Sequence, residues 1–359
     1  MRMISEGIMN ILILTGRFGM GHVKCAEAIK EEIKHKYPNS DVTVIDFCDY
    51  CFPRASKYIY KGFELCVFKF YDAYNKLAKF SNHLNCVPFK RMIYNHMEKL
   101  MSTYSPDLVV ADLPMCVQYF SSFKKKHRVK VPFYVYITDI TIHKDWISKN
   151  VDKYFVGDRI CKRELIDNGI VDSKIHVCGI PVARSFAGGT EQPKRETNVL
   201  IMGGGLGLIP CQETILSALN KEEGVTTTII CGKNEALRHE IISKYKNINA
   251  IGFTDRVSDY LKEADVIITK PGGITTFEAI KARTPLYVIE PTLEQELGNS
   301  RFIKRKGLGV IVSNRDDFNV QALLDFVHNA DKINKIKDNM RVLSERFESS
   351  NPVDYLEVA

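Results

Sequence analysis

Apolar and polar positions alternate in blocks along this chain, and the blocks read in turn as strands and helices. Ile8–Leu14 is a nearly unbroken apolar run, as expected of a strand covered on both faces. From Gly21 to Lys36 apolar residues recur at helical spacing, at Val23, Ala26, Ile29 and Ile33. Further strands are expected at Val42–Phe47, Leu108–Ala111, Phe133–Ile137, Tyr154–Val156 and Ile175–Cys178. Helices are expected over Met115–His127 and Arg159–Asn168. The small, polar stretch Ala187–Asn198 reads as a linker. A second series of strands follows at Val199–Met202, Thr227–Cys231, Ile248–Ile251, Val266–Thr269 and Leu286–Ile289, with a polar helical tail from Val320. The pattern predicts α/β architecture: two doubly wound, Rossmann-like domains facing a cleft. The expected boundaries are 1–187, 188–330 and a helical tail over 331–359.

Composition narrows this little. The chain has 359 residues, 45% hydrophobic and 26% charged, which suits soluble domains. No apolar run approaches the ~18–20 residues of a spanning helix. The first strand has no cleavage-site pattern behind it, so it is not read as a signal peptide. Ten cysteines are scattered, and only Cys48 and Cys51 are spaced as a pair. Free thiols in a reducing cytosol are expected, with no metal site.

Charge changes the picture more. Residues 1–180 hold 27 basic and 19 acidic side chains, a net of +8. Arg54 to Lys99 holds nine basic and three acidic ones, a net of +6, among many aromatics. Basic, aromatic and apolar together suit a segment on an anionic membrane, where each cation contributes ~1 kcal/mol. A helical core segment with a solvated basic face is the plainer alternative. Nucleic acid is not the expected partner.

Loops after strands should carry function in such a fold. Thr15–His22 is Gly-rich, and His22, with an ordinary imidazole pKa, suits general-base work. Taken alone it equally fits a structural histidine. Thr138–Trp146 sets Asp139, His143 and the single tryptophan after an apolar strand. A capped turn with a half-buried Trp would look the same. Gly203-Gly204-Gly205-Leu206-Gly207 mimics a dinucleotide fingerprint but has Leu208 where the last glycine belongs. The strongest pattern is Lys270-Pro271-Gly272-Gly273-Ile274-Thr275-Thr276-Phe277-Glu278. There a helix N-terminus can meet a diphosphate and a carboxylate can meet a ribose. Glu290–Asn299 follows the last strand with side chains suited to sugar hydroxyls.

These motifs, in this order, resemble the processive diacylglycerol glucosyltransferases and monogalactosyldiacylglycerol synthases, a glycosyltransferase family 28-like group. The resemblance runs from the first strand to about residue 310. It rests on Gly19-Met20-Gly21-His22, on Thr138, Asp139, His143 and Trp146, and on Gly179, Ile180, Pro181 and Phe186. It continues through Cys231, Gly232 and Asn234, then Gly252, Phe253 and Asp255, then Thr269 to Gly273 with Thr275 and Glu278. It ends with Gln295, Glu296, Gly298 and Asn299. It implies a GT-B fold and inverting transfer of a hexose from UDP-glucose or UDP-galactose to diacylglycerol or a related lipid, with no cofactor and no obligatory metal. His22 would be the base, with Asp139 supporting or competing. Donor-binding residues would be Gly21, Gly203, Gly204, Gly232, Asn234, Phe253, Gly272, Gly273, Thr275, Glu278, Gln295, Glu296 and Asn299. Acceptor-binding residues would be His143 and Trp146. The protein would be cytoplasmic and peripheral on the inner face of the membrane, docked through residues 54–100. Leu293 and Glu294 depart from the family's Pro-Gly. A polyprenyl-linked or soluble acceptor, or a non-catalytic UDP-sugar-sensing regulator, are the rival readings.

Overall fold

The computed structural model describes residues 9–69, 89–188, 196–290, 294–312 and 318–356, with backbone alone at 64–69, 206, 294 and 295. The chain forms two units, Met1–Arg184 with Phe347–Ala359, and Ser185–Arg346. The expected 331–359 tail is therefore divided. Helix Ala330–Glu348 lies mostly in the second unit, and the residues after it rejoin the first.

The first unit is a six-stranded parallel sheet in the order β2-β1-β3-β4-β5-β6. Its strands are β1 (Asn10–Thr15), β2 (Asp41–Asp46), β3 (Leu108–Ala111), β4 (Phe133–Tyr136), β5 (Lys153–Val156) and β6 (Ile175–Val177). The central runs LVVA and FYVY are buried at every position, which is why they lack the period-two alternation of a one-sided sheet. Helices α1 (Met20–Lys36), α2 (Phe47–Cys51), α3 (Ser56–Lys69), α4 (Lys90–Tyr104), α5 (Pro114–His127) and α6 (Arg159–Asp167) connect them. Trp146, Phe120 and Phe133 belong to one core cluster with Leu12, Val109 and Met97.

The expected strand Val42–Phe47 stops one residue early. The Asp46 carboxylate accepts the Asp49 N–H at 2.9 Å, so it caps α2 and ends the strand. Cys48 and Cys51 fall in this helix as buried free thiols, and burial pushes Cys51 up to about 12, the reverse of a reactive thiolate.

The second unit repeats the plan in the order β12-β11-β10-β7-β8-β9. Its strands are β7 (Thr197–Met202), β8 (Val225–Ile230), β9 (Ile248–Ile251), β10 (Val266–Thr269), β11 (Leu286–Ile289) and β12 (Gly309–Val312). Strand β12 was not expected from sequence; it is a short, half-buried edge. Helices α7 (Gln212–Leu219), α8 (Glu235–Lys244), α9 (Val257–Glu263), α10 (Gly273–Ala282), α11 (Glu294–Lys306), α12 (Val320–Val327) and α13 (Ala330–Glu348) complete it.

The loops after β7 and β8 interlock. Lys233 N–H donates to the Gly205 carbonyl at 2.9 Å. Gly232 has φ +61°, and a Cβ there would stand 2.2 Å from the Gly205 oxygen. Gly232→Ala is expected to cost about 2 kcal/mol, which is roughly 4–8 °C in the melting of its unit. An unchanged calorimetric transition would show that the two loops can yield.

Candidate active site

In a doubly wound sheet, ligands collect where successive connections diverge to opposite sides, at the strands' carboxyl ends. In the first unit that point lies between β1 and β3, which are hydrogen-bonded neighbours. The loop leaving β1 reaches α1 through Gly19, whose φ of +81° turns the chain into the helix with no side-chain cap. His22 follows in the first turn of α1. Its Nδ1 lies 2.7 Å from the Asp112 main-chain carbonyl, just past β3, and 3.2 Å from the Thr138 hydroxyl. A carbonyl only accepts, so Nδ1 carries the hydrogen and Nε2 keeps its lone pair. Burial lowers the His22 pKa, against the opposing pull of Asp139 and the Asp112 carbonyl, with His143 adding to the lowering. The ring is therefore neutral at pH 7, the state a general base requires.

Asp139 stands on the loop after β4. Trp146 Nε1–H donates to its Oδ2 at 3.0 Å, and His143 Nε2 lies 3.7 Å from the same oxygen. Burial pushes the Asp139 pKa up, but the nearby His143 and His22 imidazoles and the Trp146 indole outweigh it. The result lies below the ordinary carboxylate value. Some 43% of that side chain's surface remains open, so solvent weakens each of these effects. Trp146 itself is 0% exposed. It was expected to touch the acceptor, but its ring is packed in the core and its indole N–H is given to Asp139. His143 is one-third exposed and also lies 3.8 Å from Asp145.

Beneath His22 is a group that sequence reasoning missed. The Asp112 side chain is 0% exposed, and among the described residues neither of its oxygens has a hydrogen-bond partner within bonding geometry. Burial drives its pKa well above the usual range, with Thr15 and nearby main chain offsetting only part of this. Burial thus favours the protonated form of this carboxyl in the folded chain.

In the second unit the diverging point lies between β7 and β10. The loop after β7 brings Gly203 and Gly204; the loop after β10 leads to Gly272, the uncapped N-terminus of α10, with no acid in its first turn. By contrast Asn234 caps α8, its Oδ1 accepting the Leu237 N–H at 3.1 Å. Gly272, Gly273 and Thr275 are partly exposed at the open helix end, and Phe253 is 67% exposed. Lys270, named in the motif but given no role from sequence, runs past Gly204, where a Cβ would meet its Cε at 3.6 Å. Its Nζ lies 3.9 Å from Glu296 Oε1. Burial raises the Glu296 pKa, and Lys270 pulls it back.

Two expected ligand groups are buried. Asn299 is 7% exposed and donates from Nδ2 to the Pro271 carbonyl at 2.8 Å, tying α11 to the loop that opens α10. It was expected to bind donor, but that amide is committed to main chain. Glu278 is 1% exposed, so its carboxylate lies within the protein rather than on an open surface. The Gln295 side chain falls outside the described residues. Among the described residues no three or more His, Cys, Asp or Glu cluster as a metal site.

Comparison with known proteins adds identity to this geometry. Residues 22–182 match the model of monogalactosyldiacylglycerol (MGDG) synthase, and residues 198–345 match the glycosyltransferase family 28 C-terminal domain. The chain is a glycosyltransferase with the GT-B fold. It resembles the processive diacylglycerol beta-glucosyltransferase of Bacillus licheniformis, at 26% identity over 93% of this chain and 91% of that one. Its fold is also that of Acinetobacter baumannii MurG, with TM-score 0.61, 14% identity, and coverage of 96% and 99%. UDP-GlcNAc 2-epimerase from Neisseria meningitidis, bound to UDP-GlcNAc, aligns with TM-score 0.57 and 15% identity over 95% and 100%. The architecture alone therefore does not select a reaction.

The buried acid of this glycosyltransferase has a measurable consequence. A carboxyl whose folded pKa exceeds its unfolded value of 3.8 loses stability as pH rises through that window. Asp112→Asn removes the titration while keeping the main-chain carbonyl that holds His22. The variant's gain in melting temperature over the parent is expected to be smallest near pH 4 and to grow toward pH 8. A gain independent of pH would mean that Asp112 is ionised when folded.

Proposed function

We propose that this glycosyltransferase transfers a hexose from a UDP-sugar to the free hydroxyl of diacylglycerol, with inversion, while docked on the inner face of the membrane. The observation that carries the reading is His22, its Nδ1 bonded to the Asp112 carbonyl so that Nε2 keeps its lone pair. In this reading Nε2 takes the acceptor's O–H proton as that oxygen bonds to the anomeric carbon. The bond from the anomeric carbon to the phosphate oxygen breaks, and its electron pair leaves with UDP. Asp139, held by Trp146, stabilises the imidazolium that forms. Gly272, Gly273 and Thr275 at the start of α10 receive the diphosphate charge, a preorganised electrostatic contribution. Lys270 adds a cation there, and no metal is assigned. Phe253 is placed against uracil, Glu278 at the ribose, and Gln295 and Glu296 at the sugar.

The names of the relatives support the acceptor: the matched synthase makes a galactosyl diacylglycerol, and the Bacillus enzyme is a diacylglycerol glucosyltransferase. Glucose is the donor sugar we favour. Among the described residues no helix is long and apolar enough to cross a membrane. Tyr58 is 75% exposed and Phe89 69%, both in the basic, aromatic stretch. Tyr94 of the same stretch is 3% exposed and belongs to the core, so only part of 54–100 is available for docking. Residues 70–88 lie outside the described ones.

The test is mass spectrometry of lipid products from purified chain, anionic vesicles containing diacylglycerol, and UDP-glucose, UDP-galactose or UDP-N-acetylglucosamine in turn. A hexosyl diacylglycerol is expected with UDP-glucose; UDP binding without any glycolipid would sink the lipid-acceptor reading. His22→Ala is expected to lower kcat by about 10²–10⁴-fold, with donor binding kept. The acid limb of kcat/KM is expected below pH 6.5, the ordinary imidazole value. Asp139 raises the His22 pKa, so Asp139→Asn should move that limb to still lower pH. A limb that stays in place would remove His22 as the titrating base.

A further inference from the structure

Tyr60 stands out within α3. Its neighbours Tyr58 and Ile59 are 75% and 38% exposed, whereas Tyr60 is 8% exposed and turned inward. Its hydroxyl donates to Asp46 Oδ1 at 2.6 Å and accepts the Arg17 main-chain N–H at 3.1 Å. A phenol has one hydrogen to give, so each end of this bridge has a defined sense. Asp46 Oδ2 in turn accepts Arg17 Nε at 3.0 Å, and the Arg17 guanidinium also pairs with Asp49. That guanidinium lies 5.0 Å from the centroid of the Tyr60 ring, within cation–π range. Phe18 packs edge-on against both Tyr60 and Phe63, at 4.9 and 5.2 Å.

The loop so gripped is the one that presents His22. Gly16 has no room for a side chain: a Cβ would stand 3.0 Å from Leu113 and 3.3 Å from the Tyr60 hydroxyl. Leu113 follows Asp112, whose carbonyl orients the His22 ring. Residues 16–18 are therefore clamped between α3 and the turn that fixes the base. Gly19, at φ +81°, then passes the chain into α1. No contact in this path belongs to the sheet hydrogen bonding itself.

We propose that Tyr60 is a positioning residue for the transfer step: through its hydroxyl, α3 holds the loop over residues 16–18 in the shape that presents His22. The consequence is that the basic, aromatic segment does more than attach the enzyme to lipid. A change in the seating of α3 reaches the base directly. This rests on the reading of His22 as base, and the experiment separates the two.

The full chain is assayed with UDP-glucose and vesicles of phosphatidylglycerol with diacylglycerol, as parent, Tyr60→Phe and His22→Ala. Tyr60→Phe keeps the ring and its packing and deletes one hydroxyl. Its kcat is expected to fall about tenfold, with donor KM within twofold and an acid limb displaced from the parent's. Hydrogen–deuterium exchange in peptides spanning residues 15–22 is expected to quicken about tenfold, with β4 and β5 unchanged. Parental kcat, or a kcat loss matched only by a smaller folded fraction, would overturn the proposal. If parent and His22→Ala are equally inactive, the activity reading fails instead. Exchange then still decides whether the loop depends on Tyr60, and unchanged exchange overturns that dependence too.

Discussion

Parallel strands cannot be joined by a tight turn; each connection must cross back to the starting edge, usually through a helix. Every loop at a strand's carboxyl end therefore emerges on the same side of its sheet. Where the winding reverses, two neighbouring loops part and leave space between them. In this chain that happens once in each unit, between β1 and β3 and between β7 and β10. His22 meets the Asp112 carbonyl at the first, and the open end of α10 faces the glycine loop of β7 at the second. The chemistry sits where the winding order leaves room for it.

Those positions carry a cost in polar groups removed from water. A protonated acid beside a histidine does not disturb its charge, whereas a buried anion there would raise its pKa. Burial favours the protonated form of Asp112, and Asp139 is the carboxylate whose charge pulls the His22 pKa up. The same division appears in the second unit, where Glu296 has Lys270 across from it.

Much of this was legible in the residues. Strand positions followed from apolar runs, because strands covered on both faces cannot be polar. His22, Asp139 and His143 were read from short motifs after strands, and the fold sets their side chains near one another. What sequence could not convey was direction. Trp146 and Asp139 are seven positions apart, and only the 3-10 turn at Lys144–Trp146 shows that the indole points at the carboxylate. Asn234 and Asn299 were taken for ligand groups because an amide suits a sugar and a peptide equally; here both serve main chain. Lys270 was named in its motif but given no role, because the glycines after it explained the pattern. Tyr60 was hidden in a composition: among many aromatics near basic residues, nothing in the pattern marks the one that faces inward. The strand β12 escaped because four half-buried residues make no periodic signal.

The chain crosses from the first unit to the second and returns. Asp354 pairs with Lys36, the Tyr355 carbonyl accepts from Lys153 Nζ at 2.8 Å, and the Tyr355 ring lies 4.0 Å from that of His176. During synthesis these partners appear more than 170 residues apart, with all of Ser185–Arg346 made in between. All residues of the second unit are therefore made before the first gains its final seam along β5 and β6. A chain cut before Asn351 would keep every residue of the second unit and leave the first unsealed. The order of translation thus places the unit that bears His22 last to close.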